Sequence, residues 1–344
     1  MDSHASIIQH VAAKPLAQAD IRLSTLVTDI ESTGTAGTDS KDPKVVVRSD
    51  GGSFEFDEVV VAVPLGCLKK GMPTFVPPLP QRLQKAVQNA SYSSLEKVYI
   101  TFPAAFWDRP TSKAVPQPRM GSPDEENEAQ EEAVDAFPSF FHFLRPDFVP
   151  EGQKHWTIEM VPLSSPAVFG AHAKPTLLIY THDPCAKHVL SLIRGLSPDS
   201  AEYFEVLDRF FRPYYSRLPN YQPGHADCTP AAILASDWHG DDLAGNGSYT
   251  NFQVSADTVG PVANGEDGDK QREQQIHLEE DVRTMRAGLA ERGIWFAGEH
   301  TAPFVALGTT TGAYWSGEAA ALRVLAANGL AVGAAAATFT NGTG

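Results

Sequence analysis

Near one end the chain reads "IWFAGEHT" (residues 294–301) and, soon after, "ALGTTTGAYWSGEAAALRVL" (306–325). Gly298 and Glu299 make a turn after a short apolar run, and Thr309, Thr310 and Gly312 open a helix crowded with small residues. The start of a helix offers unpaired N–H groups and a positive dipole end, which suit a diphosphate or the electron-rich edge of a ring. Gly308, Gly312, Ala313 and Gly317 would let backbone approach a large planar ligand. A Gly/Ala-rich helix packed tightly on a sheet would read the same way.

Two further groups could do chemistry. Lys97 sits in "EKVYITF" (96–102), an alternating strand where an ammonium needs a reason to be. Either it lies on the solvent face with its stem along apolar surface, or it aims a cation at a reacting centre. Trp238 and Tyr249 flank "HGDDLAGNGS". They are core aromatics with bonded polar tips, or walls of a cavity that receives a cation. His239 and His300 lie near these stretches without a metal-ligand pattern and are expected to be structural or solvent-facing.

The elements that must position these residues follow from periodicity and turn chemistry. Residues 21–30 read as a strand. "KVVVRSDGG" and "FEFDEVVVAVP" read as a hairpin around an Asp-Gly turn, then a valine run expected to be buried on both faces. "PQRLQKAVQNA" (80–90) is a short helix with proline at its start. "HWTIEMV" and "TLLIYTH" are strands, and 199–212 a helix. Residues 111–135, inside a Pro-, Ser- and acid-rich stretch, are expected to be a disordered insertion. A second polar loop covers 258–275, and 328–344 is a low-complexity tail.

The 344 residues carry a formal charge of −15, which argues against nucleic acid or an anionic membrane as partner. Seven of the carboxylates fall within 123–135. Cys67, Cys185 and Cys228 share no metal-ligand spacing and cannot all pair, so a reducing, cytoplasmic setting is expected. The first residues show no basic region followed by a long apolar run, so no signal peptide is read. No window reaches the apolar length of a membrane span.

Three segments together resemble the flavin-dependent amine oxidases, a family that includes polyamine oxidases, monoamine oxidases and flavin-type histone demethylases. They are "VVVAVPLGCLKKGMPTFVPPLP" with "EKVYITFPAAFW", then "SDWHGDDLAGNGSYTNF", then "IWFAGEHTAPFVALGTTTGAYWSGEAAALRVL". The resemblance implies FAD as cofactor. It assigns Gly298 and Glu299 to its ribityl or ribose part, and Thr309, Thr310, Gly312 and Ala313 to the flavin side. Val27 would make a backbone contact to the adenine end, and Pro64 and Leu65 a turn near the cofactor. Lys97 matches the lysine that holds a water against flavin N5 and assists oxygen activation. Trp238 and Tyr249 would line the substrate cavity, with Trp238 also facing the flavin.

The implied architecture is α/β: a partial FAD-binding domain from 20–66 and 237–327, interrupted by a substrate-binding segment over 67–236. The implied activity is oxidation of a C–N bond in a polyamine-type amine, with O2 reduced to H2O2. One departure is large. The family's G-x-G-x-x-G loop, which cradles the FAD diphosphate, occurs nowhere in the 344 residues. The chain therefore reads as a truncated oxidase of impaired activity, its diphosphate loop expected on an N-terminal half or a partner chain. The alternatives are a non-catalytic fragment that binds no FAD, or another flavoenzyme of the superfamily.

Overall fold

A computed structural model describes residues 4–32, 44–108, 137–144, 146–151, 154–251 and 278–330. The expected insertion at 111–135, the polar loop at 258–275 and most of the 328–344 tail lie outside them. In chain order the elements are α1 (His4–Leu16), β1 (Val27–Ser32), β2 (Val45–Ser49), β3 (Gly52–Phe56), β4 (Val59–Val61), α2 (Leu65–Lys69), β5 (Thr74–Val76), α3 (Gln81–Asn89) and β6 (Ser91–Ser93). Next come β7 (Leu95–Thr101), β8 (Phe141–Phe143), β9 (Ile158–Pro162), α4 (Pro166–Phe169), β10 (Thr176–His182), α5 (Cys185–Ile193), α6 (Ala201–Tyr215) and β11 (Ala232–Ala235). Last are β12 (Tyr249–Asn251), a helix α7 over 278–287, β13 (Ile294–Phe296) and α8 (Thr310–Ala327).

The chain divides into two units, one built from 3–94 with 238–344 and the other from 95–237. The expected boundary at residue 66 thus falls later, at 94/95. The reason is packing: Leu65, Leu68, Leu83, Ala86 and Val87 from α2 and α3 share one core with Ile30, Val45, Ile294 and Phe296.

In the first unit β3, β2, β1 and β5 form one sheet, β13 pairs in parallel with β4, and β12 pairs with β6. Residues 45–61 and 293–298, far apart in sequence, meet here. The buried face of α3 repeats at Leu83, Ala86 and Val87, the spacing of one helix face. Its end is closed by Lys69 Nζ, which donates to the carbonyls of Val87, Gln88 and Ala90. Asp281 on α7 ties both ends of α3, accepting from Arg82 Nη1 (2.5 Å) and Asn89 Nδ2 (2.7 Å). Arg292, ahead of β13, donates to Ser32 Oγ and to the carbonyls of Pro77 and Pro78.

Two local expectations change. The first strand starts at Val27 rather than residue 21, because Ser24 takes a positive φ of 52° that breaks an extended run. The valine run is not buried on both faces: Val60 is exposed while Val61 is buried. Ahead of β1, α1 (His4–Leu16) leaves Ile7, Ile8 and Val11 exposed.

The second unit is a five-stranded sheet in the order β11-β7-β10-β9-β8, antiparallel throughout. One face packs Val98, Ile100, Ile158, Met160, Leu177 and Ile179 against α5 and α6. The helix expected over 199–212 spans Ala201–Tyr215, its first turn closed by Ser200 Oγ accepting from the Tyr203 N–H (3.2 Å).

Candidate functional site

β13 is buried along its whole length, and the chain leaves it through Gly298 at φ 134°, a conformation open to glycine. The Gly298 N–H donates to Ser316 Oγ (2.8 Å), whose own hydrogen goes to the Ala313 carbonyl (2.7 Å). One hydroxyl in the small-residue face of α8 therefore fixes the strand exit against the helix. Glu299 then opens a tight turn, and its carboxylate reaches two other segments. Oε1 accepts from the Thr250 N–H (3.1 Å) and Oγ1 (2.7 Å) of β12, and Oε2 from the Gly308 N–H (2.9 Å). β12 in turn pairs with β6, placing Tyr249 opposite Ser93.

The loop between Trp238 and Tyr249 is held by its own bonds. Asp241 accepts from the N–H groups of Leu243 and Ala244, and Asn246 Nδ2 donates to the His239 carbonyl. The Tyr92 hydroxyl lies 2.7 Å from the Ala244 carbonyl. Gly66 of α2 is pressed against this loop: a Cβ there would lie 2.2 Å from the Gly245 carbonyl oxygen.

Thr309 caps α8, its Oγ1 accepting from the Gly312 N–H (2.9 Å) and donating to the Ala306 carbonyl (2.7 Å). The N–H groups of Thr310 and Thr311 find no acceptor among the described residues, and both residues are exposed.

Burial pushes the Glu299 carboxyl above the usual carboxylate range, against the pull of its hydrogen bonds to Thr250 and Gly308. Burial holds the His300 pKa down to about 4, so its ring is neutral near pH 7, and Nε2 has no hydrogen-bond partner among the described residues. Desolvation also raises the Tyr92 hydroxyl and the Cys67 thiol, keeping both protonated. A cleft of about 390 Å³ lies apart from these groups, between α2, β5 and α3. Its Lys69 ammonium is taken up by the carbonyls at the end of α3.

The structure gathers Gly298, Glu299, Thr309, Thr310, Gly312, Ala313 and Tyr249 into one neighbourhood of the first unit. It also corrects the reading of the glycines. A Cβ at Gly308 would lie 2.7 Å from the Tyr249 ring, and one at Gly312 would lie 2.0 Å from the Ala306 carbonyl oxygen. Those spaces are filled by the chain itself, so neither glycine opens a face to a ligand. Gly317 does look onto open space, seven residues from Thr310 and on the same helix face.

Val27 begins β1 against the core, Pro64 precedes α2, and Leu65 is a fully buried core side chain. Trp238 is exposed. Lys97 belongs to the second unit, on the sheet face opposite the α5/α6 core. The charge buried in β7 is its neighbour Glu96, which accepts from Ser236 Oγ (2.6 Å). Sequence reasoning missed Thr250, Ser316 and Tyr92. Ser316 had a local signal, a lone hydroxyl among alanines and glycines; Thr250 and Tyr92 had none.

The residues present fit part of a flavin cofactor. The free N–H groups of Thr310 and Thr311, the helix dipole and the open surface at Gly317 suit an anionic or electron-rich ring edge. For a diphosphate, no G-x-G-x-x-G loop is available in the sequence.

Residues 5–325 match the family described as flavin containing amine oxidoreductase. Among curated proteins, lysine-specific histone demethylase 1 homolog 3 of Arabidopsis thaliana is 38% identical over 91 residues, covering 26% of this chain and 6% of the relative. Lysine-specific histone demethylase 1B of Mus musculus is 36% identical over 89 residues, covering 26% and 10%. A putrescine oxidase mutant redesigned in its cofactor binding superposes with a TM-score of 0.56 at 16% identity, covering 93% of this chain and 52% of that one. The chain thus spans about half the length of its structural neighbour, and the matched stretches are a tenth or less of these two relatives.

Proposed function

The chain belongs to the flavin-containing amine oxidoreductases, and we propose that it forms the flavin-facing and amine-recognising part of an oxidase acting on polyamine-type C–N bonds. The observation that carries this reading is the Glu299 staple. By holding β12 and Gly308 together, it presents the start of α8 with two N–H groups that have no acceptor among the described residues. Those groups would receive the electron-rich edge of FAD, with Gly317 leaving room alongside. FAD, when bound, supplies the redox chemistry, taking hydride from the carbon beside the amine and passing electrons to O2.

The chain's own residues do the rest. Trp238 and Tyr249 would receive the amine by shape and cation–π attraction, and a dry aromatic wall favours the neutral amine that can give up hydride. Lys97 would hold a water and place positive charge where negative charge develops. The diphosphate would be cradled by polypeptide other than these 344 residues.

Polyamines are the first choice of substrate. The name that the sequence relatives carry makes a methylated lysine side chain the competing one. A second reading, a protein that binds no flavin, draws on the Glu299 carboxylate being taken up by three protein donors and on the missing diphosphate loop.

A chimera tests the choice: the part of putrescine oxidase that carries its dinucleotide loop, fused ahead of residue 5. Flavin absorbance with peroxide released on adding spermidine supports the oxidase reading. Release on a dimethyl-lysine peptide alone shifts the substrate. A folded, flavin-loaded chimera silent toward both sinks the reading.

A further inference from the structure

The row of small residues along the buried face of α8, Gly312, Ser316 and Ala320, ends on an arginine. Arg323 stands three residues beyond Ala320 and so continues the same face. Its Nε and Nη2 are shut off from water and have no hydrogen-bond partner among the described residues. These two nitrogens form one edge of the guanidinium, a fork whose N–H groups can receive two oxygens of one anion at once.

A second guanidinium stands beside it. Arg286 on α7 donates from Nε to the Thr301 carbonyl (2.7 Å), in the turn that Gly298 and Ser316 hold against α8. Burial lowers the pKa of both arginines, and repulsion adds to it: Arg286 acts on Arg323, and Arg283, one turn earlier on α7, acts on Arg286. An arginine keeps its proton all the same, so like charges gather here in a chain of formal charge −15. Carboxylates of the neighbouring elements are taken up by other groups. Asp281 accepts from Arg82 and Asn89, Glu58 from Trp295 and Asn328, and Glu279 lies 3.6 Å from Arg283. None among the described residues pairs with Arg286 or Arg323.

A buried guanidinium edge without an acceptor is costly, and an adjacent cation adds to the cost. We propose that Arg286 and Arg323 form a binding site for a phosphate dianion, free or as a monoester. Charge decides the class. A phosphate group carries close to two negative charges above neutral pH, matching two guanidiniums, whereas a carboxylate would offset only one. The fork of Arg323 takes two phosphate oxygens, and the Nη groups of Arg286 take a third. Arg323 lies 13 residues beyond Thr310, about 20 Å along a helix that rises 1.5 Å per residue. The site therefore uses none of the groups assigned to the flavin and does not rest on the amine-oxidising reading.

Isothermal titration of the 344-residue chain at about pH 8 and low salt, with inorganic phosphate and with O-phosphoserine, tests the site and separates its two sources. One saturable site per chain is expected for at least one probe; a chain that binds neither overturns the proposal. Arg323→Lys keeps the charge but loses the fork, and Arg286→Gln loses one cation. Each should weaken binding about tenfold or more. Arg209→Gln removes the same charge from an exposed position on α6 and should change nothing. An equal fall in that control would mean a general field and no site. Thermal unfolding decides even where a titration variant does not fold. Without phosphate, Arg323→Met should be at least as stable as wild type, because an unpaired buried charge has gone. Phosphate should raise the midpoint of wild type and leave that of Arg323→Met where it was. A variant much less stable than wild type without phosphate would mean that Arg323 has a protein partner in solution, and overturns the proposal. So would loss of phosphate binding when the chimera is loaded with flavin, because the arginines would then belong to the cofactor's seat.

Discussion

Glu299 and Thr250, 49 residues apart, are joined twice: one carboxylate oxygen accepts from both the backbone N–H and the hydroxyl of the threonine. The other oxygen holds Gly308. This single side chain sets where β12, the Gly308 turn and the start of α8 stand relative to one another.

Glu299→Gln keeps the volume but exchanges an acceptor for a donor at one position, leaving buried N–H groups facing an amide NH2. It should lower stability by about 1–3 kcal/mol, read as a fall in the urea midpoint. Thr250→Val removes the hydroxyl bond alone and should cost less. The double variant should cost less than the sum of the two; strict additivity would mean the bonds do not form in solution.

Two glycines of the same helix should respond in opposite directions to alanine. Gly312→Ala puts a methyl 2.0 Å from the Ala306 carbonyl oxygen and should destabilise by about 2–3 kcal/mol. Gly317→Ala meets open space and should stabilise by roughly 0.5–1 kcal/mol. Thermal unfolding of the two variants checks the contrast. A tolerated Gly312→Ala would place the Ala306 turn elsewhere.

His300 should make stability depend on pH. Its folded pKa of about 4 lies below the ordinary histidine value of 6.5, so between those values the unfolded chain binds more protons. Stability then rises with pH through that window and is lost as pH falls, by up to roughly 3 kcal/mol. His300→Gln should flatten the difference in unfolding midpoint between about pH 4 and pH 7. Parallel profiles for variant and wild type would count against a neutral buried ring.

In the flavin-loaded chimera, Lys97→Met should slow reoxidation of the reduced enzyme by O2 roughly ten- to a hundredfold, with flavin affinity little changed. Stopped-flow mixing with O2 separates the two effects. An unaltered reoxidation rate would return Lys97 to the role of a solvent-face lysine.

The 344-residue chain expressed alone should purify colourless and release no peroxide with spermine. Three hydrogen bonds to charged phosphate groups, at roughly 1.5–3 kcal/mol each, would be missing. Their loss, about 4.5–9 kcal/mol, exceeds three orders of magnitude in affinity. A yellow preparation would mean that the diphosphate finds donors outside any G-x-G-x-x-G pattern.

The sequence alone determined what local order can encode. Alternation in "EKVYITF" marked β7, and the spacing of Leu83, Ala86 and Val87 marked α3. The wording from Ile294 to Leu325 marked the family, because short-range periodicity and turn residues act within a few positions of themselves. Tertiary structure decided the rest. Whether Gly308 and Gly312 make room for a ligand or for the chain depends on Tyr249 and Ala306, and a glycine does not announce what presses on it. That Glu299 binds Thr250 depends on pairings between segments tens of residues apart. Those contacts exist only once strand register is set, and register is fixed by which faces are buried together.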